Sequence, residues 1–73
     1  MLRRHLELAR EHVALGQKLV ERQRQLVADL QHDGHPSEIA RKMLAVFENV
    51  QKMHVENRDM ILSEIADTER RRW

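Results

Sequence analysis

The chain has 73 residues, with 13 basic and 12 acidic side chains and a formal net charge of +1. A core of this size rarely supplies more than roughly 3–5 kcal/mol, so small proteins usually gain stability from disulfides, a metal or a partner chain. The chain has no cysteine, which excludes disulfides and thiolate metal sites. Balanced charge and only two aromatic residues, Phe47 and Trp73, argue against a nucleic-acid surface built on bulk charge and base stacking.

The first residues, "MLRRHLELAREH", carry charges throughout and contain no apolar run of the signal-peptide type. No stretch of the sequence approaches the length and apolar character of a membrane span. We therefore expect a soluble cytoplasmic protein that forms a single domain over residues 1–73.

A helix is predicted over about residues 2–32, because apolar residues recur at alternating steps of four and three. Gly16 is the only weak helix former inside it, at a cost that a long helix tolerates. One side carries Leu2, Leu6, Ala9, Val13, Val20, Val27 and Leu30, and a flanking column holds His5, His12, Leu19 and Leu26.

A turn is predicted over residues 33–37, in the stretch "DGHPS". Gly34 follows the last periodic residues, where a left-handed helix cap favours glycine. Pro36 suits the first position of a second helix, and alternatively Ser37 is its N-cap. Such a short connection makes the two helices antiparallel neighbours.

A second helix is predicted over about residues 37–71, and it has two apolar columns. We expect the first column to pack on helix 1 and the second to remain exposed. The first column is Ile39, Met43, Val46, Val50, Met53, Asn57, Met60 and Glu64, and the second is Ala40, Leu44, Phe47, His54, Ile61 and Ile65.

The flanking columns are longer than one hairpin can cover, and an exposed apolar strip usually marks an interface. The expected fold is therefore an all-α, two-helix antiparallel hairpin that dimerises into a four-helix bundle with coiled-coil-like packing. The predicted dimer interface consists of Leu19, Leu26, Leu44, Phe47, Ile61 and Ile65.

Three residues stand out along the predicted contact between the helices. Gly16 is expected near Met53 and His54, where its small size leaves room either for His54 or for a partner helix. Gln23 and Asn57 are polar residues at core-type positions. Either they fix the register of the helices at some cost in stability, or they lie at the edge of the core and meet water.

Five histidines in a short chain raise the question of a metal site. His12 and His54 are the candidates, but the usual helical ligand spacings, His-x-x-x-His and Glu-x-x-His, are absent. We expect no bound metal and no other cofactor. Ser37 is explained as a cap, and Ser63 has no activating partner that the sequence indicates, so no enzymatic activity is expected.

The antiparallel hairpin would bring basic residues from both termini to one end, beside Trp73. Arginine suits anion recognition, so this end is a candidate surface for an anion, RNA or a membrane surface; alternatively it is a solvated terminus. The residues are Arg3, Arg4, Arg70, Arg71 and Arg72.

The segments "HLELAREHVALGQKLVERQRQLVADLQHDGH" and "ARKMLAVFENVQKMHVENRD" resemble a family of short, uncharacterised bacterial helical-hairpin proteins. The similarity covers nearly the whole chain, and the turn departs from it at Pro36 and Ser37, where the family pattern has Asp-Thr. The resemblance implies no activity. It rests on His5, His12, Gly16, Gln23, the turn Asp33-Gly34-His35, Met43-Leu44, Phe47-Glu48 and His54.

The sequence favours a small self-associating protein that serves as an interaction or scaffolding module, with a homodimer and an unidentified protein partner as expected contacts. An RNA-binding hairpin dimer is the second hypothesis. It is not favoured, because Arg3, Lys18 and Arg22 alternate with acidic residues rather than forming a basic stripe. Histidine-based metal binding is the third.

Overall fold

The computed structural model describes residues 2–71, which form two α-helices and no strand. α1 spans Leu2–His32 and α2 spans Glu38–Arg71. The helices run antiparallel, since Arg3 at the start of α1 contacts Glu69 near the end of α2. The predicted all-α hairpin is confirmed. Over the described residues, neither helix combines the length and apolar character needed to cross a bilayer.

The turn between the helices is a Schellman cap. Gly34 has a φ of 72°, the left-handed conformation that glycine adopts without strain. The amide of His35 donates to the carbonyl of Leu30 at 2.9 Å, and the amide of Gly34 donates to that of Gln31 at 3.2 Å, which are the two bonds of this motif. Ser37 is the N-cap of α2, because its carbonyl accepts the first helical bond, from Arg41 at 2.9 Å.

The hairpin is a thin rod with a small core. Its Cα atoms span 61 × 14 × 14 Å, with a radius of gyration of 17.1 Å, whereas a compact chain of this length would have about 11 Å. No side chain is fully buried, and the buried residues of the described chain are Ala9, Val20, Gln23, Val27, Ala40 and Ile61. A rod with so little interior has only modest stability of its own.

The two columns of α2 lie the other way round from the prediction. The column that was expected to pack on α1 is exposed, with Ile39 at 76% and Met53 at 66% exposure. The column that was expected to be exposed faces α1, with Ala40 and Ile61 buried and Phe47 half-buried. α1 packs as predicted, with Ala9, Val20, Gln23 and Val27 buried along one side.

Candidate interaction surface

One side of the hairpin, called here the apolar face, carries almost all of the large apolar side chains that the fold leaves exposed. Eleven such side chains are exposed among residues 2–71, and ten of them belong to this face. Their exposures range from 40% for Leu19 to 76% for Ile39. The face consists of Leu8, Leu15, Leu19 and Leu26 of α1 and Ile39, Met43, Val46, Val50, Met53 and Met60 of α2.

Helix geometry places both sets of residues on the same side. Each exposed residue precedes a residue of the helix–helix contact by one position, as Leu19 precedes Val20 and Ile39 precedes Ala40. One position back is a rotation of about 100° around a helix axis. Because the helices are antiparallel, this rotation turns both columns toward the same side of the hairpin. Leu15 and Leu19 of α1 and Val50 of α2 accordingly line one cavity together.

The opposite side, called here the charged face, carries ion pairs that join the two helices. Arg3 contacts Glu69 and Arg24 contacts Glu48, each at 3.3 Å and each across the two helices. Only one large apolar side chain is exposed on this side within the described chain, Leu62 at 38%. Among the described residues, the charged face therefore exposes no continuous apolar strip that a partner would need to bury.

Two glutamines tie the helices together between the two faces. The Gln23 side-chain amide of α1 donates to the carbonyl of Ala40 at 2.9 Å, and the Gln51 amide of α2 donates to that of Val13 at 2.8 Å. Gln23 is only 8% exposed. The buried hydrogen bond of Gln23 thus supports the interpretation that this residue fixes the register of the helices. Asn57 is exposed, which agrees with the alternative that it meets water.

Sequence reasoning missed Gln51, although a usable signal exists. Gln51 shares its heptad position with Leu44 and Ile65, which both lie half-buried against α1. A polar residue inside a column of that kind indicates a buried hydrogen bond. Once α2 is assigned the correct inward column, Gln51 is as conspicuous as Gln23.

A cavity on the apolar face lies beside Gly16. A Cβ atom built on Gly16 would lie 3.5 Å from His54 Cδ2, so these residues are neighbours as predicted, and it would overlap Gln51 Oε1. That oxygen is buried and has no hydrogen-bond partner within the described residues. The cavity has a volume of about 80 Å³ and is lined by His12, Leu15, Gly16, Leu19, Phe47, Val50, Gln51 and His54.

The two metal candidates are adjacent but incomplete as a site. The ring centroids of His12 and His54 lie 5.4 Å apart and the ring planes make an angle of 42°. Within residues 2–71, no group of three or more histidine, aspartate or glutamate side chains is placed to hold an ion. Two imidazoles alone fall short of the four ligands of a structural zinc site.

The arginine end is partly neutralised by neighbouring acids. Arg3 and Arg70 do come to the same end of the rod, but Arg3 contacts Glu69 and Arg70 contacts Asp67. Exposed pairs of this kind are weak, yet each places a negative charge beside a guanidinium that an anion would need. Of the other predicted residues, Arg4 and Arg71 are exposed, while Arg72 lies outside the described residues, as does Trp73.

The six predicted interface residues divide between two locations. Leu19 and Leu26 are exposed on the apolar face. The other four, Leu44, Phe47, Ile61 and Ile65, lie against α1 inside the hairpin. The α2 residues available to a partner are instead those of the column one position earlier.

Comparison with known proteins adds no relative. No protein-family model matches the chain, and neither the curated proteins nor the solved structures give a significant match. The resemblance to short bacterial hairpin proteins stays a prediction, and the function is argued from the geometry of the two faces.

Proposed function

We propose that the protein is a self-associating helical module without catalytic activity, in which a second copy covers the apolar face to complete a four-helix bundle. The observation that carries this proposal is the segregation of ten exposed apolar side chains to one face. Monomeric proteins rarely leave a continuous apolar strip of this length in water. In this proposal, the function of the protein is to bind another protein chain and not to catalyse a reaction.

The dimensions of the face suit a stable dimer. A rod of 61 by 14 Å offers roughly 850 Å² on one side, which is close to the ~800 Å² that each partner buries in a standard interface. Burying such an area removes the exposed leucines and methionines from water, at about 25 cal/mol per Å² of apolar surface. A second copy therefore supplies the interior that the single hairpin lacks.

The charges beside the apolar face favour a protein occupant over an anionic membrane or RNA. The residues on the outer side of each helix alternate in sign, as Arg4, Glu11 and Lys18 do along α1. A helix that lies on anionic lipid usually has an excess of Lys and Arg on its polar side. RNA binding likewise favours a continuous basic stripe, whereas on the charged face Arg3 and Arg24 each lie beside a carboxylate.

Sedimentation at micromolar concentration tests the proposal. The expected mass is twice that of one chain. Val46→Asp should raise the dissociation constant at least about 100-fold, because a carboxylate would be buried without a partner. Val46 is 57% exposed in the single hairpin, so the variant should keep its helical circular dichroism.

Leu62→Asp is the matched control, since Leu62 is an exposed apolar residue of α2 on the charged face. It should sediment like the original chain. A monomer at micromolar concentration, or equal weakening by both substitutions, would show that the apolar face does not mediate self-association.

A further inference from the structure

We infer that the second copy lies antiparallel on the apolar face, so that the turn of each hairpin lies beside the open end of its partner. The two-fold axis then lies in the interface, perpendicular to the helices, at the level of Gln17 of α1 and Val50 of α2. This inference rests on the proposed dimer and specifies the arrangement of the partner.

The first observation is a symmetric order of residues along α1. Under this two-fold axis, two α1 residues face each other when their numbers add to about 34. Leu15 then faces Leu19 of the partner subunit, and Leu8 faces Leu26 of the partner subunit. Apolar and polar residues occupy mirror-related places in the whole column, which reads His5, Leu8, His12, Leu15, Leu19, Arg22, Leu26 and Asp29.

The polar residues of this α1 column also meet polar residues. His5 would face Asp29 of the partner subunit, where an imidazole N–H donates to the carboxylate. His12 would face Arg22 of the partner subunit, where an imidazole ring nitrogen offers an acceptor to the guanidinium N–H groups. Neither charged residue is placed against an apolar side chain.

The second observation comes independently from α2. Its exposed column runs from Ile39 to Met60, and its midpoint is Val50. Val50 would therefore face Val50 of the partner subunit, and Val46 would face Met53 of the partner subunit. The one mismatch is Met43 opposite Asn57 of the partner subunit.

The hairpin holds the two midpoints at the same level, although nothing in either column requires it. Residues of α1 and α2 share a level when their numbers add to about 67, as Gly16 and Gln51 do. By this relation Val50 lies level with Gln17, the midpoint of the α1 column. A single axis therefore relates both columns at once.

The third observation is the cavity beside Gly16, which lies at this same level. Leu15, Leu19 and Val50 line it together with Gly16. Helices pack by inserting a side chain of one into a hole on the other. At the two-fold axis, the cavity provides a hole for an apolar side chain of the partner.

A parallel arrangement fits the residues less well. Each α1 would then face the partner's α2 at equal levels. Arg22 would meet Val46 of the partner subunit, and Asp29 would meet Ile39 of the partner subunit. Two charges would lie against apolar side chains, which costs free energy, whereas the antiparallel arrangement places only the uncharged Asn57 in that situation.

The arrangement also decides whether the histidines can form a shared site. In a parallel dimer, His12 and His54 of both copies lie at one level and approach four ligands. In the antiparallel dimer the two pairs are about 15 Å apart along the rod, given ~1.5 Å of rise per residue. The inference thus excludes a four-histidine metal site on the dimer axis.

Cysteine cross-linking separates the two arrangements, because the chain has no cysteine of its own. Val50→Cys should form a disulfide-linked dimer under mild oxidation in the antiparallel arrangement. The double variant Leu8→Cys/Met60→Cys should form an intermolecular link only in the parallel arrangement. Leu62→Cys, on the charged face, is the control and should form no disulfide-linked dimer in either arrangement.

A second measurement does not touch the interface. Spin labels on His32→Cys, an exposed position next to the turn, should lie about 45 Å apart in the antiparallel dimer, as 1.5 Å of rise per residue requires. In a parallel dimer the two turns adjoin, and the label distance would fall to about half of that value.

The results distinguish this inference from the proposed function. A dimer with the Val50→Cys link and the long label distance supports the antiparallel arrangement. A dimer that instead links through Leu8→Cys/Met60→Cys, or that shows the short distance, overturns the inference and leaves the dimer standing. A monomer in sedimentation overturns both.

Discussion

The apolar and charged faces are formed by the same two helices, yet they are closed in different ways. On the charged face, Arg24 reaches across the hairpin to Glu48, and the described residues present a mainly polar surface to water. On the apolar face, Leu19 and Val50 lie side by side with nothing above them. The difference shows that one helix pair can carry cross-helix ion pairs on one side and leave a strip of apolar side chains exposed on the other.

The largest expected effect separates residues inside the hairpin from residues on the apolar face. Phe47→Asp should unfold the single hairpin, because Phe47 packs against α1 and a carboxylate there costs more than a core supplying roughly 3–5 kcal/mol can lose. Leu26→Asp should keep the helices and abolish only the dimer, since Leu26 is already 46% exposed. Circular dichroism and sedimentation distinguish the two outcomes.

If Leu26→Asp also lost its helical signal, the hairpin would have no stability apart from the dimer. The apolar face would then be a folding core shared by two chains, rather than an interface between two folded units.

An intermediate effect is expected at the glutamine that joins the helices beneath the apolar face. Gln51→Ala removes the hydrogen bond to the Val13 carbonyl and should lower the free energy of unfolding by about 1 kcal/mol. Gln25→Ala is its control, because the Gln25 amide donates at 2.8 Å to Asp29 within one exposed helix. The control should change stability by less than about 0.5 kcal/mol in urea denaturation.

Gly16 should show an effect whose sign depends on Gln51. Alanine at this position would gain about 1 kcal/mol of helix propensity, but its Cβ would overlap Gln51 Oε1 and displace the side chain. Gly16→Ala should therefore give little or no gain in the original chain and a gain of about 1 kcal/mol in the Gln51→Ala background.

A double-mutant cycle from denaturation curves measures this coupling between Gly16 and Gln51. Equal effects of Gly16→Ala in both backgrounds would mean that the two residues do not share the space that the structure gives them.

The smallest effect is expected on the charged face. Arg24→Gln breaks the contact with Glu48. The Arg24 side chain is 60% exposed and the Glu48 side chain 46%. Exposed pairs contribute about 0.2–1 kcal/mol and less in high salt, so the melting temperature should change little and the dimer should remain. A dissociated dimer after this substitution would show that the two faces are not independent.

The sequence predicted the helices and the turn well, because their signals are local. Gly34 favours a left-handed cap, and Ser37 and Glu38 are typical of a helix start. These residues act through their own backbone and that of their immediate neighbours. The position of α1 in the hairpin was also predictable, since its inward side is the more continuous apolar column.

The orientation of α2 was not predictable in the same way. Both of its columns are apolar, and the column with Ile39 and Met53 is the more regular of the two. The structure turns the other column inward, where Ala40 and Gly16 are small and Gln23 and Gln51 reach backbone carbonyls across the contact. Close approach and cross-helix hydrogen bonds depend on both helices together, so the pattern of one helix does not contain them.

The position of the turn has a consequence for how the rod moves. The turn holds α1 and α2 together at one tip of a 61 Å rod, whereas the contact between Arg3 and Glu69 at the other tip is exposed. Opening should therefore begin at the open tip and progress toward the turn, as local unfolding does where few apolar contacts hold a segment. In an antiparallel dimer, each fraying tip rests on the anchored tip of its neighbour. Amide hydrogen exchange near Arg3 and Glu69 should then slow as the protein concentration rises, while exchange near Leu30 changes much less.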